Sequence, residues 1–325
     1  MTAAGPDIGE IDALRERLAG EILRTPMMRC AAIEDVIGGD TRVVAKLEFL
    51  QRTGTFKARA ALANLYSLLP EQRAAGVTAV SAGNHAIATA FAARATGSSA
   101  KVVMMRTANK LRVEACRSYG AEVVLADNVH EAFAIAEQIQ KDEGRFFVHP
   151  FEGPNVALGA GTCGLEICEQ ADDFDAVIVP VGGGGLIGGI ANVVKRLRPE
   201  CEVIGVEPEG ADTMRRSLAS GKPEAIDEVR TIADSLGAPY ALPYSFTLAQ
   251  LHVDRMAIVD DPLLRKMMGF LFHAMKIAVE PACCASTAAL LGPLRGELRG
   301  KRVILVMCGS NIDWETFEAQ AVFDD

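Results

Sequence analysis

The chain has 325 residues, which at about 100–200 residues per domain predicts two lobes with a sizeable core and excludes a miniature domain held together by disulfides or metal. Half of the residues are hydrophobic and 23% are charged, as in a well-packed globular protein and unlike a disordered chain. With 33 Lys and Arg against 42 Asp and Glu, the formal net charge of −9 opposes non-specific attraction to nucleic acid or anionic lipid.

The cysteines and the apolar runs indicate a cytoplasmic protein without a membrane span. No two of the eight cysteines form a C-x-x-C pair, so we interpret them as reduced thiols. The N-terminus lacks the basic and apolar regions of a signal peptide. The uncharged run 176–194 is about long enough to span a bilayer, but it holds six glycines and Pro180. We therefore expect a strand, a turn and a buried helix there.

Short β-rich runs alternate with longer helical patterns along the chain, and this alternation predicts an α/β fold with parallel sheets covered by helices. Strands are expected at 43–49, 77–80, 101–105, 122–125, 145–148, 176–181, 202–207 and 302–307. Helices are expected at stretches that include 56–69, 87–96, 110–119, 129–141 and 186–197.

The first candidate site residue is a lysine that follows the first expected strand. Thr53 or Thr55 can cap the next helix, which places Lys57 in its first turn, where the helix dipole disfavours a cation. Together with apolar neighbours, this position lowers the pKa of the lysine and makes its amine nucleophilic. A solvated surface lysine is the alternative.

Two further junctions join a strand to a helix start, where unpaired N–H groups favour anions. The segment 81–85, S-A-G-N-H, follows the strand at 77–80 and suits a carboxylate, although an ordinary capped helix start has the same residue types. The four glycines at 182–185 allow backbone amides to close around a phosphate, with a tight turn as the alternative. The same loop fits G-x-G-x-x-G through Gly188, with Glu207 19 residues later, so a nicotinamide-dependent enzyme stays open.

These three motifs, in this order, resemble those of the fold-type II pyridoxal-phosphate enzymes, specifically the serine/threonine dehydratase family. The segments 231–234 (T-I-A-D), 280–282 (E-P-A) and 308–311 (C-G-S-N) extend the resemblance over essentially the whole chain. It implies a tryptophan synthase β-like fold with two lobes, each an open, mostly parallel twisted sheet flanked by helices. The larger lobe would comprise 1–44 and 146–325, the smaller one 45–145, with the cofactor in the cleft between them. A homodimer is also implied.

The resemblance assigns roles to individual residues. Lys57 would hold pyridoxal 5'-phosphate through its amine and, once released, would remove the Cα proton of the substrate. Phe56 would cover one face of the cofactor ring, Asn84 would bond its 3-oxygen, Cys308 would face its nitrogen, and Ser235 stands beside the ring where relatives usually have glycine. The substrate carboxylate would be held by Ser81, Ala82, Gly83, Asn84 and His85, and the phosphate by Gly182, Gly183, Gly184, Gly185 and Leu186.

The implied reaction is β-elimination from a 3-hydroxy amino acid such as L-threonine or L-serine, which gives a 2-oxo acid and ammonia. A near-neutral thiol at Cys308 leaves the ring nitrogen largely unprotonated, which favours loss of the hydroxyl over a long-lived carbanion. Ala82 occupies the position of the serine that related racemases use, so racemisation is disfavoured. The substrate side chain stays open, with 3-hydroxyaspartate and 3-aryl-serine types as alternatives. An NAD-dependent oxidoreductase and a catalytically idle cofactor binder are the alternative classes.

A mono- or divalent cation is a further open point. Some relatives bind one through an acid at the strand end, a carbonyl and a second acid, and here Glu207 and the Ala211 carbonyl match while Thr213 replaces the second acid. Hard cations need several oxygen ligands, so this loss weakens the site. A strand-end carboxylate paired with a helix is the alternative interpretation of Glu207. None of the five histidines has zinc-ligand spacing.

Overall fold

The computed structural model describes residues 5–323, and all elements below lie in that range. The strands are β1 Met27–Arg29, β2 Arg42–Leu47, β3 Val77–Val80, β4 Ala100–Met105, β5 Glu122–Ala126, β6 Phe146–Phe147, β7 Ala176–Pro180, β8 Glu202–Pro208, β9 Arg255–Val259 and β10 Arg302–Met307. The α-helices are α1 Ile8–Arg17, α2 Ala31–Ile37, α3 Lys57–Ser67, α4 Pro70–Ala75, α5 Asn84–Ala95, α6 Lys110–Ser118, α7 Val129–Glu143, α8 Pro154–Gln170, α9 Gly185–Leu197, α10 Thr213–Ser220, α11 Pro243–His252, α12 Asp261–Met275, α13 Pro281–Leu291, α14 Arg295–Leu298 and α15 Trp314–Gln320.

The larger sheet has the strand order β1-β2-β10-β7-β8-β9. Only β1 runs antiparallel to its neighbour β2, and every other pair is parallel. In the central strand β10, Val303 lies opposite Val43 on one side and Ala176 on the other. All five residues of β7 are buried, as expected for a parallel sheet covered on both faces.

The smaller sheet has the order β5-β4-β3-β6, and all of its pairs are parallel. Its strands therefore fall between Val77 and Phe147, while β2 lies wholly in the larger sheet. The expected smaller lobe, 45–145, begins inside β2 and ends just before β6. We propose to place its boundaries after β2 and after β6 instead.

The α/β class and the two mostly parallel sheets flanked by helices are confirmed. Each of the eight expected strands has a counterpart, and the run 176–194 forms β7, a turn and most of α9. The strands β1 and β9 were not expected, since β1 has three residues and β9 begins with two half-buried side chains at the sheet edge. Among residues 5–323, no helix combines the length and apolar character that crossing a bilayer requires.

Close helix packing fixes the position of α3, the helix that begins at Lys57. Gly159 of α8 faces the backbone of α3, and a Cβ at that position would lie 2.6 Å from the Cα of Ala60. Gly189 of α9 faces α8 in the same way, with Ala160 Cβ at 2.5 Å from the added atom. Because contacts below 3.0 Å cannot be accommodated by backbone without movement, these two glycines bring α3, α8 and α9 together.

Candidate active site

The expected cofactor-binding residues lie around one cleft at the carboxyl ends of β7 and β10. This position follows the rule for open α/β sheets. Phe151, Pro180, Leu236 and Glu280 line it in addition. The expected residues in its lining are Phe56, Lys57, Asn84, Gly182, Gly183, Gly184, Gly185, Leu186, Ser235 and Cys308.

Lys57 is the first residue of α3, and its amine reaches into the cleft. The Nζ atom donates a hydrogen bond to the Pro150 carbonyl at 2.6 Å and lies 5.0 Å from the centre of the Phe56 ring. The expected threonine cap is wrong in detail, because Phe56 occupies the N-cap position without a side-chain bond. The hydroxyl of Thr55 instead accepts from the Lys57 N–H at 3.3 Å.

The environment of Lys57 lowers the pKa of its amine, as the sequence predicts. Burial lowers the pKa of Lys57 to about 8, although the nearby Cys308 and Glu280 act in the opposite direction. The surrounding cleft thus favours the neutral, nucleophilic form more than water does. The alternative of a solvated surface lysine is wrong.

The segment 81–85 leads from β3 into α5, which begins at Asn84 rather than at residue 87 as expected. Ser81 accepts the Gly83 N–H through its hydroxyl at 3.1 Å, and a Cβ on Gly83 would lie 2.8 Å from the Arg112 guanidinium. His85 is buried, and its Nε2 lies 2.8 Å from the Val148 carbonyl oxygen. Burial, aided by Lys57, lowers the pKa of His85 to about 3, so this ring is neutral at physiological pH.

Ala82 is the one member of this segment that lines a different cavity. That neighbouring cavity is also lined by Arg112, Asp234 and Asn311. The segment 81–85 therefore lies between two openings, with Asn84 facing the cofactor cleft and Ala82 facing the second cavity.

Asn84 joins the two lobes through a hydrogen-bond network. Its Nδ2 donates to both carboxylate oxygens of Glu280 at 2.9 and 3.0 Å and to the Ser235 hydroxyl at 3.1 Å. Its Oδ1 accepts from Asn311 Nδ2 at 2.8 Å. These bonds hold the Asn84 amide in one orientation at the cleft.

Glu280 is the titratable group at the centre of this network. Its side chain is 1% exposed, and an Arg112 nitrogen lies 3.5 Å from its carboxylate. Burial raises the pKa of Glu280 to about 7, even though Arg112 and Asn84 oppose the shift. Its charge therefore changes within the physiological pH range.

The glycine loop precedes α9, whose first N–H groups have no partner within the helix. Gly184 occupies the N-cap position with a φ of +89°. A Cβ on Gly183 would lie 2.1 Å from the Phe151 ring, and one on Gly185 would lie 2.7 Å from the Phe151 carbonyl oxygen. Side chains are thus excluded from the loop, which leaves its backbone amides available to an anion.

Cys308 follows β10 and connects that strand to the start of α3. Its carbonyl accepts the Phe56 N–H at 3.2 Å, and its side chain is almost fully buried in the cleft wall. A hydrogen bond to Cys283, together with burial, raises the pKa of Cys308 well above its ordinary value. The group that faces the cleft is therefore a neutral thiol.

The surroundings of Glu207 do not fit a cation. Its buried carboxylate accepts the N–H groups of Met214 and Arg215 at 2.7 and 2.8 Å, and the Thr213 hydroxyl donates to Ala238. Ala211 adds one backbone carbonyl at most. Within residues 5–323 no group of three or more His, Cys, Asp or Glu side chains is placed to hold a metal ion.

Several residues of the site received no individual role from the sequence. Glu280 and Asn311 stood in recognised segments, but their bonds to Asn84 span 196 and 227 residues of chain. Pro150 and Phe151 follow an expected strand, and the rule that ligands bind beyond strand ends could have indicated them. Arg112 had no signal beyond its place on a helix.

The described residues fit pyridoxal 5'-phosphate. The cleft combines a lysine amine of lowered pKa, a side-chain-free helix N-terminus and a neutral thiol in one small volume. An amine can bind the aldehyde, the helix N-terminus suits the phosphate, and the thiol is compatible with an unprotonated ring nitrogen.

Comparisons with known proteins agree with this arrangement. The chain is 52% identical over 316 residues to phenylserine dehydratase of Ralstonia pickettii, covering 97% of this chain and 96% of the relative. It is 38% identical to L-threonine ammonia-lyase of Thermotoga maritima, covering 94% and 75%. The solved structure of maize serine racemase superposes with a TM-score of 0.92 at 32% identity, covering 97% and 96%. Residues 18–309 match the family model described as pyridoxal-phosphate dependent enzyme, and the chain belongs to that family.

Proposed function

We propose that this chain removes water from a 3-hydroxy amino acid and releases a 2-oxo acid and ammonia. The observation that carries the proposal is the Lys57 amine, whose pKa is lowered to about 8, in a cleft shared with the glycine loop. The phenylserine dehydratase and L-threonine ammonia-lyase relatives support the same reaction class. Because the more similar of these two is named for phenylserine, we place a 3-aryl-serine first among the substrates.

The proposed roles follow the positions around the cleft. Lys57 would hold the cofactor through its amine, beside the Phe56 ring, and would act as a base once that amine is released; the N-terminus of α9 would receive the phosphate. Asn84, oriented by Glu280 and Asn311, would lie at the side of the ring that carries the 3-oxygen, next to Ser235, to which Asn84 donates a hydrogen bond. The backbone of 81–85 receives the substrate carboxylate at the start of α5.

The protein's own contribution to the chemistry is proton transfer and positioning. The free amine of Lys57 takes the proton from the substrate Cα, and the Cα–H electron pair forms the Cα–Cβ double bond as the Cβ–O bond breaks. Bound pyridoxal phosphate supplies the electron sink that acidifies this proton. The hydroxyl leaves as water once it gains a proton, and hydrolysis of the resulting enamine consumes one water. The products are therefore one 2-oxo acid and one ammonia.

The same residues give less support to the alternative of a nicotinamide-dependent enzyme. A dinucleotide fingerprint uses an acidic residue at the next strand end to bind ribose hydroxyls. Here that residue is Glu207, whose buried carboxylate already accepts two backbone N–H groups. It has no free face for a ribose.

Ammonia release from phenylserine, threonine, serine and 3-hydroxyaspartate tests the proposal. The purified chain with pyridoxal phosphate is expected to release ammonia and a 2-oxo acid from at least one of them, and Lys57→Arg, which keeps the positive charge, is expected to release none. A visible absorption band of the bound cofactor is expected in the parent chain and absent in Lys57→Arg. A cofactor band without ammonia from any substrate would support the idle binder instead.

We also propose a homodimer acting in the cytoplasm. All eight cysteines are free and buried, as suits a reducing compartment. The dimer rests on the family resemblance. Light scattering on the purified chain is expected to give twice the 34.6 kDa of one chain, and a monomer mass would contradict it.

A further inference from the structure

A chain of aromatic rings in mutual contact borders the candidate active site. Phe133 contacts Phe147 at 6.4 Å between ring centres, Phe147 contacts His149 at 6.1 Å, and His149 contacts Phe151 at 4.7 Å. Phe151 in turn lies 6.1 Å from Tyr240. We call these five residues the aromatic row. It reaches from α7 and β6 of the smaller sheet to the region before α11.

The row passes close to Lys57 Nζ, the atom that would act as the base. Phe151 lines the cofactor cleft, and the Pro150 carbonyl accepts the hydrogen bond from Lys57 Nζ at 2.6 Å. Phe147, His149 and Phe151 alternate along the segment that leads out of β6, a spacing that puts side chains on one side of an extended chain. The row therefore leads away from Lys57 in consecutive ring contacts.

The imidazole in the row behaves as a neutral ring. Burial, with the neighbouring Lys57 as the second cause, lowers the pKa of His149 to about 4. Its Nδ1 accepts the N–H groups of Phe151 and Glu152 at 3.3 and 3.0 Å, which fixes the plane of the ring. Its interplanar angles of 70° with Phe147 and 89° with Phe151 are edge-to-face. At neutral pH the row presents an uncharged aromatic surface.

The row is only partly enclosed, although Phe147 also packs against a small core cluster that includes Val103 and Ala136. Phe133 is 37% exposed, and Phe147, His149 and Phe151 are half-buried. By contrast, Phe317 and Phe246 are almost completely enclosed in the larger lobe. Partly accessible aromatic rings that lead into a cleft are typical of a ligand-binding surface. An aryl group that covered these rings would gain both burial and edge-to-face contact.

We propose that Phe147, His149 and Phe151 form the subsite for the aryl group of a 3-aryl-3-hydroxy amino acid. This inference rests on the proposed function. The aryl ring of such a substrate is attached to Cβ, one bond from the Cα whose proton Lys57 takes. The segment 147–151 contacts Lys57 through Pro150, and for this reason we place a group on Cβ beside the row. A methyl group, as in threonine, is too small to reach the same rings.

The test compares kcat/KM for phenylserine with kcat/KM for threonine in the cofactor-loaded enzyme. Phe147→Leu is expected to lower the phenylserine-to-threonine ratio about tenfold, the size of one aromatic pair interaction with a bound ring. Phe133→Leu, at the exposed end, is expected to lower it by about twofold to threefold. The matched control is Phe91→Leu, whose ring pairs with Tyr119 at 5.5 Å in the smaller lobe outside the row; it is expected to leave the ratio unchanged.

The outcomes separate this inference from the proposed function. An unchanged ratio in both variants of the row overturns the subsite, as does a parent enzyme that acts on threonine and not on phenylserine. If no 3-hydroxy amino acid releases ammonia, the proposed function fails, and thermal shift then decides the subsite. L-phenylalanine is expected to raise the Tm of the parent more than L-alanine does, and this difference is expected to disappear in Phe147→Leu; equal shifts overturn the subsite. Phe133→Leu replaces Phe147→Leu in both assays if the latter does not fold.

Discussion

Lys57 and Arg59 stand two residues apart on α3, yet their side chains enter opposite environments. Residues two apart on a helix point about 200° away from each other. Lys57 is half-buried in the cleft with one hydrogen bond, to a carbonyl. Arg59 is fully buried on the other side, where it bonds two carboxylates. One face of the helix thus serves the site, and the other fixes the helix in place.

The Arg59 side is saturated with charge pairs. Arg59 donates to both oxygens of Glu48 at 2.8 Å and to those of Glu166 at 2.7 and 2.8 Å, and Lys46 also pairs with Glu166. Burial alone would raise the pKa of Glu48, but Arg59 and Lys46 hold it below its ordinary value. In the cleft, burial instead lowers the pKa of Lys57, because no such partner compensates it. The cost of burying a charge is therefore offset by ion pairs around Arg59, whereas at Lys57 the same cost lowers the pKa of the amine.

The largest effect, a loss of activity, is expected for Lys57 on the cleft face of α3. Lys57→Ala should reduce ammonia release by at least about 10³-fold, since it removes the amine that binds the cofactor and takes the proton. The free energy of unfolding of the cofactor-free protein should change little, because the substitution removes only one hydrogen bond, to Pro150. Steady-state assays and urea denaturation measure the two quantities. If Lys57→Ala also lowered the free energy of unfolding, the cleft face of α3 would contribute to stability as well, which would contradict the division of roles between the two faces.

The next largest effect is expected at Arg59, on the opposite face of α3, where a substitution should lower stability. Arg59→Met should lower the free energy of unfolding by about 3–5 kcal/mol, because Glu48 and Glu166 are left as buried, unpaired carboxylates. Urea denaturation of the cofactor-free protein measures it. If the decrease stayed below about 1 kcal/mol, as for an exposed ion pair, the anchoring role of this face would be refuted.

A third effect concerns Glu280, the buried carboxylate at the centre of the Asn84 network. Because the pKa of Glu280 is raised to about 7, its contribution to stability is complete below its ordinary value of 4.5 and is lost as pH rises through 7. Glu280→Gln should therefore flatten the decline in unfolding free energy between pH 4.5 and 8, by on the order of 3 kcal/mol. Denaturation curves at pH 4.5, 6 and 8 provide the measurement. Parallel pH dependences in the two proteins would contradict the assignment.

The smallest effect is expected when an exposed arginine, Arg117, is replaced by methionine as Arg59 is above. Arg117 pairs with Glu114 at 2.8 Å on α6, with both side chains more than half exposed. Arg117→Met should change the free energy of unfolding by at most about 0.5 kcal/mol, since exposed pairs contribute little. Measured beside Arg59→Met, it separates the effect of burial from that of removing an arginine. A decrease as large as that of Arg59→Met would point to a general cost of the substitution.

Local sequence patterns predicted the features of the fold and the site that residues close in the chain determine. The start of α3 was placed within one residue, and the glycine loop after β7 was identified from its composition. The threonine cap was wrong in detail because Phe56 occupies the N-cap position, one residue after Thr55, whose backbone is bridged to Gly309 far along the chain. The bonds between Asn84 and Glu280 and the ring contacts of Phe151 also depend on tertiary approach. No local pattern specifies partners that lie so far apart. The edge strand β9 was missed because its first two side chains are only half-buried.

The position of β10 has a consequence for biosynthesis. This last strand is inserted between β2 and β7, with Arg302 opposite Arg42, so the larger sheet cannot close on the ribosome until nearly the whole chain has emerged. The smaller sheet, complete by Phe147, can form during translation. Stalled nascent chains ending before residue 302 are expected to protect the smaller sheet from protease while failing to capture vitamin B6 aldehyde. Cofactor loading would thereby be reserved for finished polypeptides.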